Sequence, residues 1–477
     1  MQQRVVKNAL LFAAAQAVAL VFSINYIEDP DSMRFALALQ DYDLTLLQPH
    51  FPGYPVFCAL AKVLYLPLHH LGATFACIGG ASLYLVFALL RRLFNIQDNA
   101  QETLLFVFVL FQPLTLVMAT RFMPDMAGAA LSFFCAIMFV YKRDDRALLL
   151  AAFATGLLAG VRLSNLPLVL APFVFALFHT KRRVLFALAA AAGVVIWLVP
   201  LMALSGPQEL LWLAQQQSGG HFNDFGGTIG NIPDIRTRLL ATLRSLWADG
   251  LGGFWPGRSW LSLLPTFGIL CLSIAAGMRL YAAKVWRNRE FQLLCAACLI
   301  YLVWIFLFQN VVHKPRHLLP LLPFVIACLF YGARHLLNST RFIGRLAPIL
   351  FAAVMILFAS TIARQHRSPS AMAQAVEYVR TAAESETNRP TLVSTDLVCT
   401  FVRRQGVDVD CLPVDPRAPH AVDIDKRTER IIVIGEQALL TGAKTSRDTV
   451  FYHNPFVNRM WPQVVLRDFP AAGGVNR

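Results

Sequence analysis

Long uninterrupted apolar runs recur through this chain and constrain its fold more than any other feature. Several extend over about 18 to 22 residues, the length that an α-helix needs to cross the hydrocarbon core of a bilayer. Hydrophobic residues make up 57% of the 477 residues, and charged residues only 15%. No soluble fold of this length needs so many apolar runs, so we predict a mainly α, polytopic helical membrane protein.

The hydropathy pattern predicts about eleven transmembrane helices. The first follows a basic start and extends to Ile24. It resembles a signal peptide with "AQA" as its cleavage site, but the apolar run continues past that site, which favours a retained helix. The other spans are predicted at 73–91, 103–119, 123–141, 147–161, 163–178, 184–204, 259–279, 291–309, 317–333 and 344–362.

The segment 49–70 is apolar but unsuited to lipid. It contains several prolines, Lys62 and the pair His69–His70, and unsatisfied backbone and charge are costly in hydrocarbon. We therefore predict an interfacial or re-entrant helix. If this segment crossed the membrane instead, every later span would reverse its direction.

The formal net charge of +14 comes from basic residues that separate the apolar runs. In a soluble protein this charge would indicate nucleic-acid binding, but in a membrane protein basic residues mark cytoplasmic loops. Alternate loops are basic, and they include "KRDDR" at 142–146 and "KRR" at 181–183. We predict a multi-pass protein of the bacterial inner membrane with a cytoplasmic N-terminus and no nucleic-acid partner.

The opposite loops are predicted to be extracytoplasmic. They comprise an outer loop at 25–72 with interfacial helices and a longer outer loop at 205–258, which has three glycine pairs and is predicted to lack a span. Within the transmembrane domain, 1–365, these two are the longest connections. From 366 to 477 the chain is polar, and strand-like runs alternate with helical ones, which predicts a small extracytoplasmic α/β domain.

Cysteine usage carries little information about function, because most of the nine cysteines fall in or beside membrane segments. Cys399 and Cys411 lie in the C-terminal domain. They could pair if that domain occupies an oxidising compartment, although their spacing alone does not fix the geometry of a disulfide.

Five acidic residues are concentrated in "IEDPDSMRFALALQDYD", residues 27–43, just outside the first span. Asp31 begins "DSMRFALALQ", which is predicted to form a short helix against the membrane with Asp31 at or near its N-cap. Acids in a loop are usually solvated. Asp31 could instead be a carboxylate held rigidly at the membrane surface, and capping is compatible with that role.

The acidic window and the "PHFPGYP" that follows, 49–55, resemble the GT-C superfamily of integral membrane glycosyltransferases, which includes protein O-mannosyltransferases and lipid A aminoarabinose transferases. Many members have an Asp-Glu pair followed two positions later by Tyr-Ala. Here Asp31 matches the Asp, Ser32 replaces the Glu, and Phe35–Ala36 replaces Tyr-Ala, while Arg34 is retained in type. The resemblance implies a catalytic Asp31, either alone or with Asp29 or Glu28.

Four further segments resemble the superfamily in the same order along the chain. "PHFPGYP" is similar to its His-Pro-Pro-x-x-Pro segment, with Phe51 replacing the first Pro, and "RFMPDMAGAALSF", 121–133, resembles its outer turn with an acid, here Asp125. "GLLAGVRLSNLPLVLAP", 156–172, supplies Arg162, and "HKPRHLLPLLPF", 313–324, has His317 in a Tyr position. The resemblance implies a sugar donor carried on a polyprenyl phosphate.

Basic residues on the predicted outer face are candidates to bind the donor phosphate, because charges in or near spans are costly unless they line a polar cavity. Arginine grips phosphate with two parallel hydrogen bonds, which makes Arg316 the first candidate. These residues could instead be interface anchors that bind ordinary lipid headgroups. The full set of donor phosphate-binding candidates is Arg316, Lys314, His313, Arg162 and Arg121, and His50, Tyr54 and Asp125 are predicted to line the pocket.

We therefore predict a membrane glycosyltransferase of the cell envelope that inverts at the anomeric carbon, with Asp31 as general base. Its partners would be a polyprenyl-phosphate sugar donor, a lipid, glycan or protein acceptor, and the bilayer. The carboxylates could bind a divalent cation, but no sequence feature requires one. The alternatives are a transporter or flippase of a lipid-linked saccharide, which commonly has an internal repeat that is not found here, and an O-antigen-ligase-like or structural protein that works through its tail.

Overall fold

A computed structural model of the chain describes residues 2–142, 144–386, 388–415, 421–423, 429–435, 439–441 and 446–471. The chain divides into two compact units. The membrane unit comprises Met1–Asn25 and Arg34–Arg367, and the C-terminal unit comprises Tyr26–Met33 and Ser368–Arg477. The sequence places a boundary at 365/366, but it gives no sign that the segment Tyr26–Met33, called the acid segment below, belongs with the C-terminal unit.

Apolar helices of very different lengths build most of the chain before residue 368. In chain order they are α1 (Gln2–Val21), α2 (Pro30–Ala38), α3 (Pro55–Leu68), α4 (Leu71–Leu93), α5 (Asn99–Leu110), α6 (Pro113–Thr120), α7 (Asp125–Tyr141), α8 (Asp145–Arg162), α9 (Leu166–His179), α10 (Arg183–Ser205), α11 (Pro207–Gly220), α12 (Ile235–Arg244), α13 (Leu263–Ala282), α14 (Arg289–Phe308), α15 (Leu322–Leu337) and α16 (Phe342–Arg367). Short 3-10 helices occupy Leu163–Asn165, Trp260–Ser262, Val285–Arg287 and Pro315–Leu321, and π-helices occupy His221–Phe225 and Ser245–Gly250.

The predicted polytopic membrane fold is confirmed, but the predicted number of spans is not. Within the described residues, eight helices are long and apolar enough to cross a membrane, or nine if a bent pair is one span. The continuous helical run Asp145–His179 counts once where the sequence predicts two spans. The helix α7, with 17 residues, and α3, with 14 residues, are shorter than the other candidates.

The bent pair is α5 and α6, whose axes differ by 65°. Pro113 begins α6, and a proline cannot donate the backbone hydrogen bond that would continue α5. The preceding Gln112 is fully buried, and neither atom of its side-chain amide is hydrogen-bonded to a described residue. The apolar run at 103–119, which is predicted as one span, is therefore divided between two helices with a break at Gln112.

Two glycines allow α8 and α10 to pack closely. A Cβ at Gly156 would overlap the carbonyl of Ala190, and a Cβ at Gly193 would overlap the carbonyl of Phe153. Because lipid tails provide no hydrophobic drive between helices, close backbone packing through small residues is a main source of stability in membranes. The two glycines therefore fix the position of α8, which carries Arg162 at its end.

The segment 205–258, which is predicted as an outer loop without a span, is largely helical. The structure has α11, α12 and two π-helices there, and none of them is a candidate span. Gly219–Gly220, one of the three glycine pairs, lies at the C-terminal end of α11. Arg238 holds this segment against α14, because its guanidinium donates to the carbonyls of Phe306, Gln309 and Gly227.

The predicted α/β character of the C-terminal region is confirmed. Its elements are α17 (Ala371–Ser385), β1 (Thr391–Ser394), α18 (Asp396–Arg403), β2 (Asp410–Pro413), β3 (Ala421–Asp423), β4 (Ile431–Ile434), β5 (Leu439–Thr441), β6 (Arg447–Tyr452) and β7 (Gln463–Phe469). A five-stranded sheet has the order β2-β1-β4-β7-β6, with β1 parallel to β2 and β4, and β7 antiparallel to β4 and β6. The sequence analysis did not predict β7.

The strands β1 and β4 are buried on both faces of the sheet. All four residues of β1 and of β4 are buried, as is usual for parallel strands covered by helices. Val393, Val433 and Phe469 contribute to one buried cluster that joins β1, β4 and β7. Cys399 and Cys411 both have free thiols in this unit.

Candidate functional site

A buried ionic cluster lies at the centre of the membrane unit. The Asp125 carboxylate oxygen Oδ1 lies 2.9 Å from Arg162 Nη2 and 3.7 Å from Arg316 Nε. Their side chains are only 3%, 8% and 7% exposed, respectively. Three segments that the sequence analysis singled out separately therefore meet at one carboxylate, and we call these three residues the arginine cluster.

Local backbone features place each member of the cluster. Asp125 is the first residue of α7, where the helix dipole favours a negative charge. Arg162 ends α8, because its backbone leaves the helical region at φ −158° and ψ 90°. Gly128 has no side chain to separate the two helices, since a Cβ there would lie 2.6 Å from Arg162 Cβ. Arg316 lies in the 3-10 helix Pro315–Leu321.

The cluster has more positive than negative charge. One carboxylate faces two guanidinium groups, and arginine stays protonated even when it is buried. Two buried guanidinium groups beside one carboxylate present several N–H donors to which an anionic group can bind. The arginine fork also matches the geometry of phosphate oxygens. The cluster can therefore bind a phosphate group.

Aromatic residues of the "PHFPGYP" segment cover one side of the cluster. The Tyr54 ring lies 5.7 Å from the Arg162 guanidinium carbon, within cation–π range. His50 Nε2 and the Tyr54 hydroxyl are 3.0 Å apart, and Phe35 packs edge-on against both rings. His50 and Tyr54, which were predicted to line the pocket, thus contact each other beside Arg162.

Two polar residues that the sequence analysis missed lie next to the cluster. The Tyr301 hydroxyl is fully buried, 2.9 Å from the carbonyl of His317 and 3.4 Å from Asn165 Oδ1. A Cβ at Gly128 would lie 2.9 Å from Asn165 Nδ2, so this amide group faces the same part of α7 as Arg162. The only sequence signal was a tyrosine inside an otherwise apolar run and an asparagine three positions after Arg162.

The other predicted phosphate-binding residues have different surroundings. His313 is exposed and Lys314 is half-buried, although both lie within three residues of Arg316. Arg121 is buried at the C-terminal end of α6, four residues before Asp125. Arg162 and Arg316 both form ion pairs with Asp125.

An apolar cavity of about 310 Å³ is lined in part by residues that neighbour Arg162 and Tyr54 in the sequence. Leu163, the residue after Arg162, lines it, and so do Phe51 and Pro52 from the segment that carries His50 and Tyr54. Trp197 and Leu201 of α10 contribute further apolar surface. The membrane unit thus has a lipophilic cavity, and one residue of its wall, Leu163, directly follows the buried Arg162.

The acid segment belongs to the C-terminal unit, and its three carboxylates have different environments. Asp29 caps α2, because its Oδ1 accepts a hydrogen bond of 2.8 Å from the backbone of Ser32. The N-cap of α2 is therefore Asp29, whereas the sequence predicts that Asp31 lies at or near the N-cap. Asp31 lies in the first turn of α2 and is half-buried, whereas Asp29 and Glu28 are each 1% exposed.

Ser32, at the position where the GT-C pattern has an acid, is enclosed by the protein. Its side chain is fully buried, and its hydroxyl is not hydrogen-bonded to any described residue.

Glu28 is held by two residues that lie far from it in the sequence. Asn458 Nδ2 donates a hydrogen bond of 2.8 Å to Glu28 Oε1, and Ser370 Oγ donates one of 2.9 Å to the Glu28 carbonyl. All three residues are buried within the C-terminal unit. Among the described residues, no group of three His, Cys, Asp or Glu side chains is arranged to hold a metal ion.

Comparisons with known proteins give a likeness in structure only. No protein-family model matches the sequence, and no curated protein matches it. Two solved structures of ArnT from Cupriavidus metallidurans share its fold, the apo state with a TM-score of 0.53 and the state bound to undecaprenyl phosphate with a TM-score of 0.55. Each is 13% identical, and each comparison covers 96% of this chain and 97% of the other. The membrane fold and the C-terminal domain are thus found together in a known architecture.

Proposed function

We propose that this chain is a membrane glycosyltransferase that moves a sugar from a polyprenyl phosphate to a lipid, glycan or protein acceptor on the extracytoplasmic face. The observation that carries the proposal is the arginine cluster, in which one buried carboxylate faces two buried guanidinium groups. The shared fold with an ArnT structure that contains undecaprenyl phosphate supports the same ligand class.

The donor would occupy the membrane unit with its two chemically different ends separated. Arg162 and Arg316 would bind the phosphate, and the apolar cavity lined by Phe51, Leu163 and Trp197 would take part of the prenyl chain. Asp125 would keep the two guanidinium groups fixed, which lowers the cost of organising them when the phosphate binds.

In the reaction, the bond between the anomeric carbon and the phosphate oxygen would break, and the phosphate would leave with the electron pair. An oxygen or nitrogen atom of the acceptor would attack the opposite face of that carbon and lose its proton to a carboxylate. The arginines would stabilise the charge that develops on the phosphate. A single displacement of this kind inverts the anomeric carbon.

Asp31 is the carboxylate that we propose as the base. Glu28 and Asp29 are almost fully buried, and each has a defined acceptor role, Glu28 for Asn458 and Asp29 for Ser32. Asp31 is the most exposed of the three and lies in the first turn of a helix, which restricts its backbone. A base must reach its acceptor, and exposure favours Asp31 for that task.

The proposal is tested by incubating purified full-length protein with polyprenyl-phosphate sugars and a cell-envelope extract as the acceptor source. Release of free polyprenyl phosphate is followed by mass spectrometry, because it is formed whichever acceptor is used. A transporter or flippase would leave the donor intact. Absence of release with every donor tested would contradict the proposed function.

A binding measurement tests the arginine cluster separately. We expect undecaprenyl phosphate to bind at least about tenfold more tightly than undecaprenol, and Arg162→Met and Arg316→Met to remove that difference. Arg236→Met, at an exposed position of α12, is the matched control and should bind as the unmodified protein does. Equal binding of the phosphate and the alcohol would exclude the cluster as the phosphate site.

A further inference from the structure

We propose that the C-terminal unit positions the acid segment for catalysis, and that Asn458 is its main positioning residue. The inference rests on the proposed function, in which Asp31 is the base. It assigns a task to the C-terminal unit, whose sheet carries no catalytic role in that proposal. A connected set of buried and part-buried hydrogen bonds within this unit supports the inference.

The first hydrogen bond in this set holds the side chain of Glu28. Glu28 is 1% exposed and Asn458 is 5% exposed, and Asn458 Nδ2 donates to Glu28 Oε1 at 2.8 Å. A buried carboxylate needs a donor to offset its lost hydration, and a hydrogen bond to a charged acceptor is about twice as strong as a neutral one. Glu28 is therefore fixed to Asn458 by a bond that is costly to break.

A second contact holds the backbone at the same residue. Ser370 Oγ donates to the Glu28 carbonyl at 2.9 Å and also accepts from the backbone of Ala373 at 3.2 Å. Ser370 is thus the N-cap of α17 and an anchor of the acid segment. Because one residue of the segment is held at both its side chain and its carbonyl, it can neither rotate nor shift without losing one of these bonds.

The orientation of Asn458 is itself determined. Its Oδ1 accepts from the backbone of Met460 at 2.9 Å, so its Nδ2 is the end available to Glu28. Its carbonyl lies 2.8 Å from His453 Nε2, while His453 Nδ1 accepts from the backbone of Ala371 at 2.9 Å. These partners require His453 to be neutral with its proton on Nε2. Asn458 and the start of α17 are therefore joined through one imidazole ring.

The fixed residue is three positions before the proposed base. Asp29 follows Glu28 directly and caps α2, in whose first turn Asp31 lies. A shift of Glu28 would therefore move the cap and the helix start together. Since a displacement of about 1 Å in a catalytic group can cost about 100-fold in rate, Asn458 should affect turnover without touching the reacting atoms.

The test combines kinetics with amide hydrogen exchange on full-length protein. In Asn458→Ala we expect faster exchange in residues 26–33, a kcat lowered about 10- to 100-fold and an unchanged donor KM. Asn388→Ala, at an exposed asparagine of the same unit, should change none of these. If Asn458→Ala does not fold, Asn458→Asp keeps the side-chain volume, places a second carboxylate against Glu28 and should have the same effects.

Glu28→Gln separates positioning from chemistry. A glutamine oxygen can still accept a hydrogen bond from Asn458, so we expect amide exchange in residues 26–33 to stay as protected as in the unmodified protein. Loss of turnover in Glu28→Gln with exchange still protected would make Glu28 chemically active and overturn the inference. Unchanged exchange in the Asn458 variants would overturn it as well.

The exchange measurement also keeps this inference distinct from the proposed function. If the unmodified protein released no polyprenyl phosphate from any donor, the proposed function would fail, while the change in exchange would still report whether Asn458 holds the acid segment. If the unmodified protein were active, and Asn458→Ala released the acid segment without a loss of kcat, only the positioning role of Asn458 would be rejected.

Discussion

Asp125 Oδ1 and Arg162 Nη2 lie 2.9 Å apart in the interior of the membrane unit. This distance is that of a charge-assisted hydrogen bond, and it joins the first residue of α7 to the last residue of α8. Arg316 approaches the same carboxylate oxygen from a third segment. Removal of any one of these residues leaves the others with an altered balance of buried charge.

We expect Asp125→Asn to reduce both stability and activity. Two buried guanidinium groups would remain without their carboxylate, and breaking a buried ion pair from one side costs about 3–5 kcal/mol. Thermal unfolding in detergent should show a melting temperature lowered by several degrees, and polyprenyl phosphate should partly restore it by supplying an anion. A variant with an unchanged melting temperature would show that the carboxylate does not compensate the arginines.

Asp29 and Asp31 should respond in opposite ways to substitution. Asp29→Ala removes the cap of α2 and should lower stability by about 1 kcal/mol while leaving some turnover. Asp31→Asn keeps the side-chain shape and should remove turnover with little change in stability. Donor cleavage and thermal unfolding, measured on the same preparations, distinguish the two variants. Full activity of Asp31→Asn would eliminate Asp31 as the base.

Arg238 should be essential for the fold of the segment 221–250. Its buried guanidinium donates to Gly227, Phe306 and Gln309 carbonyls, two of them at or near the C-terminal end of α14. We expect Arg238→Met to cost about 3 kcal/mol or more, because several charge-assisted bonds are lost and buried carbonyls lose their donor. Limited proteolysis should then cut between 221 and 250, whereas Arg236→Met should remain resistant.

Close packing of α8 and α10 predicts a size limit at Gly156. A valine there would overlap the Ala190 carbonyl, and overpacking a tight interface typically costs about 1–3 kcal/mol. Gly156→Val should therefore lower the yield of monodisperse protein in size-exclusion chromatography. Gly277→Ala in α13 is the control, since a Cβ at Gly277 meets no atom within 4 Å. Equal yields of both variants would argue against tight packing at Gly156.

The thiols of Cys399 and Cys411 should form a disulfide under mild oxidation. Cys399 Sγ lies 3.9 Å from the carbonyl of Leu392, and Leu392 is the register partner of Cys411 in the parallel pair β1–β2. The Cys399 thiol donates a hydrogen bond to Cys411, and this bond together with burial raises the pKa of Cys399, while the same bond lowers the pKa of Cys411, so attack should begin from Cys411. Diamide treatment followed by mass spectrometry should show a loss of two hydrogen atoms. Two thiols that remained alkylatable after diamide would contradict this prediction.

Sequence patterns predicted the membrane fold because bilayer thickness imposes a length on apolar helices. They gave no warning of the break at Gln112, because a proline within an apolar run can kink a span or divide it. Glycine pairs were assigned to a loop at 205–258, although at Gly220 the glycine ends a helix. Composition alone does not distinguish a glycine in a loop from a glycine at the end of a helix, since both positions use the conformational freedom of glycine.

The sequence predicted the charged residues of the candidate site, but it did not predict the uncharged polar ones. Asp125, Arg162 and Arg316 stood out because charge in an apolar chain is costly, and the structure brings them to one oxygen atom. Asn165 and Tyr301 did not stand out, since an occasional polar residue is common in apolar helices. The partner of Glu28 could not be predicted either, because no local pattern relates it to Asn458.

The bond between Glu28 and Asn458 joins residues that are 430 positions apart. During synthesis, the ribosome makes the acid segment long before its anchor. Helices that carry Asp125, Arg162 and Arg316 can thus insert and pack before Asn458 exists. A newly made chain would therefore acquire its buried cations early, and its acid segment would gain the bond to Asn458 only afterwards.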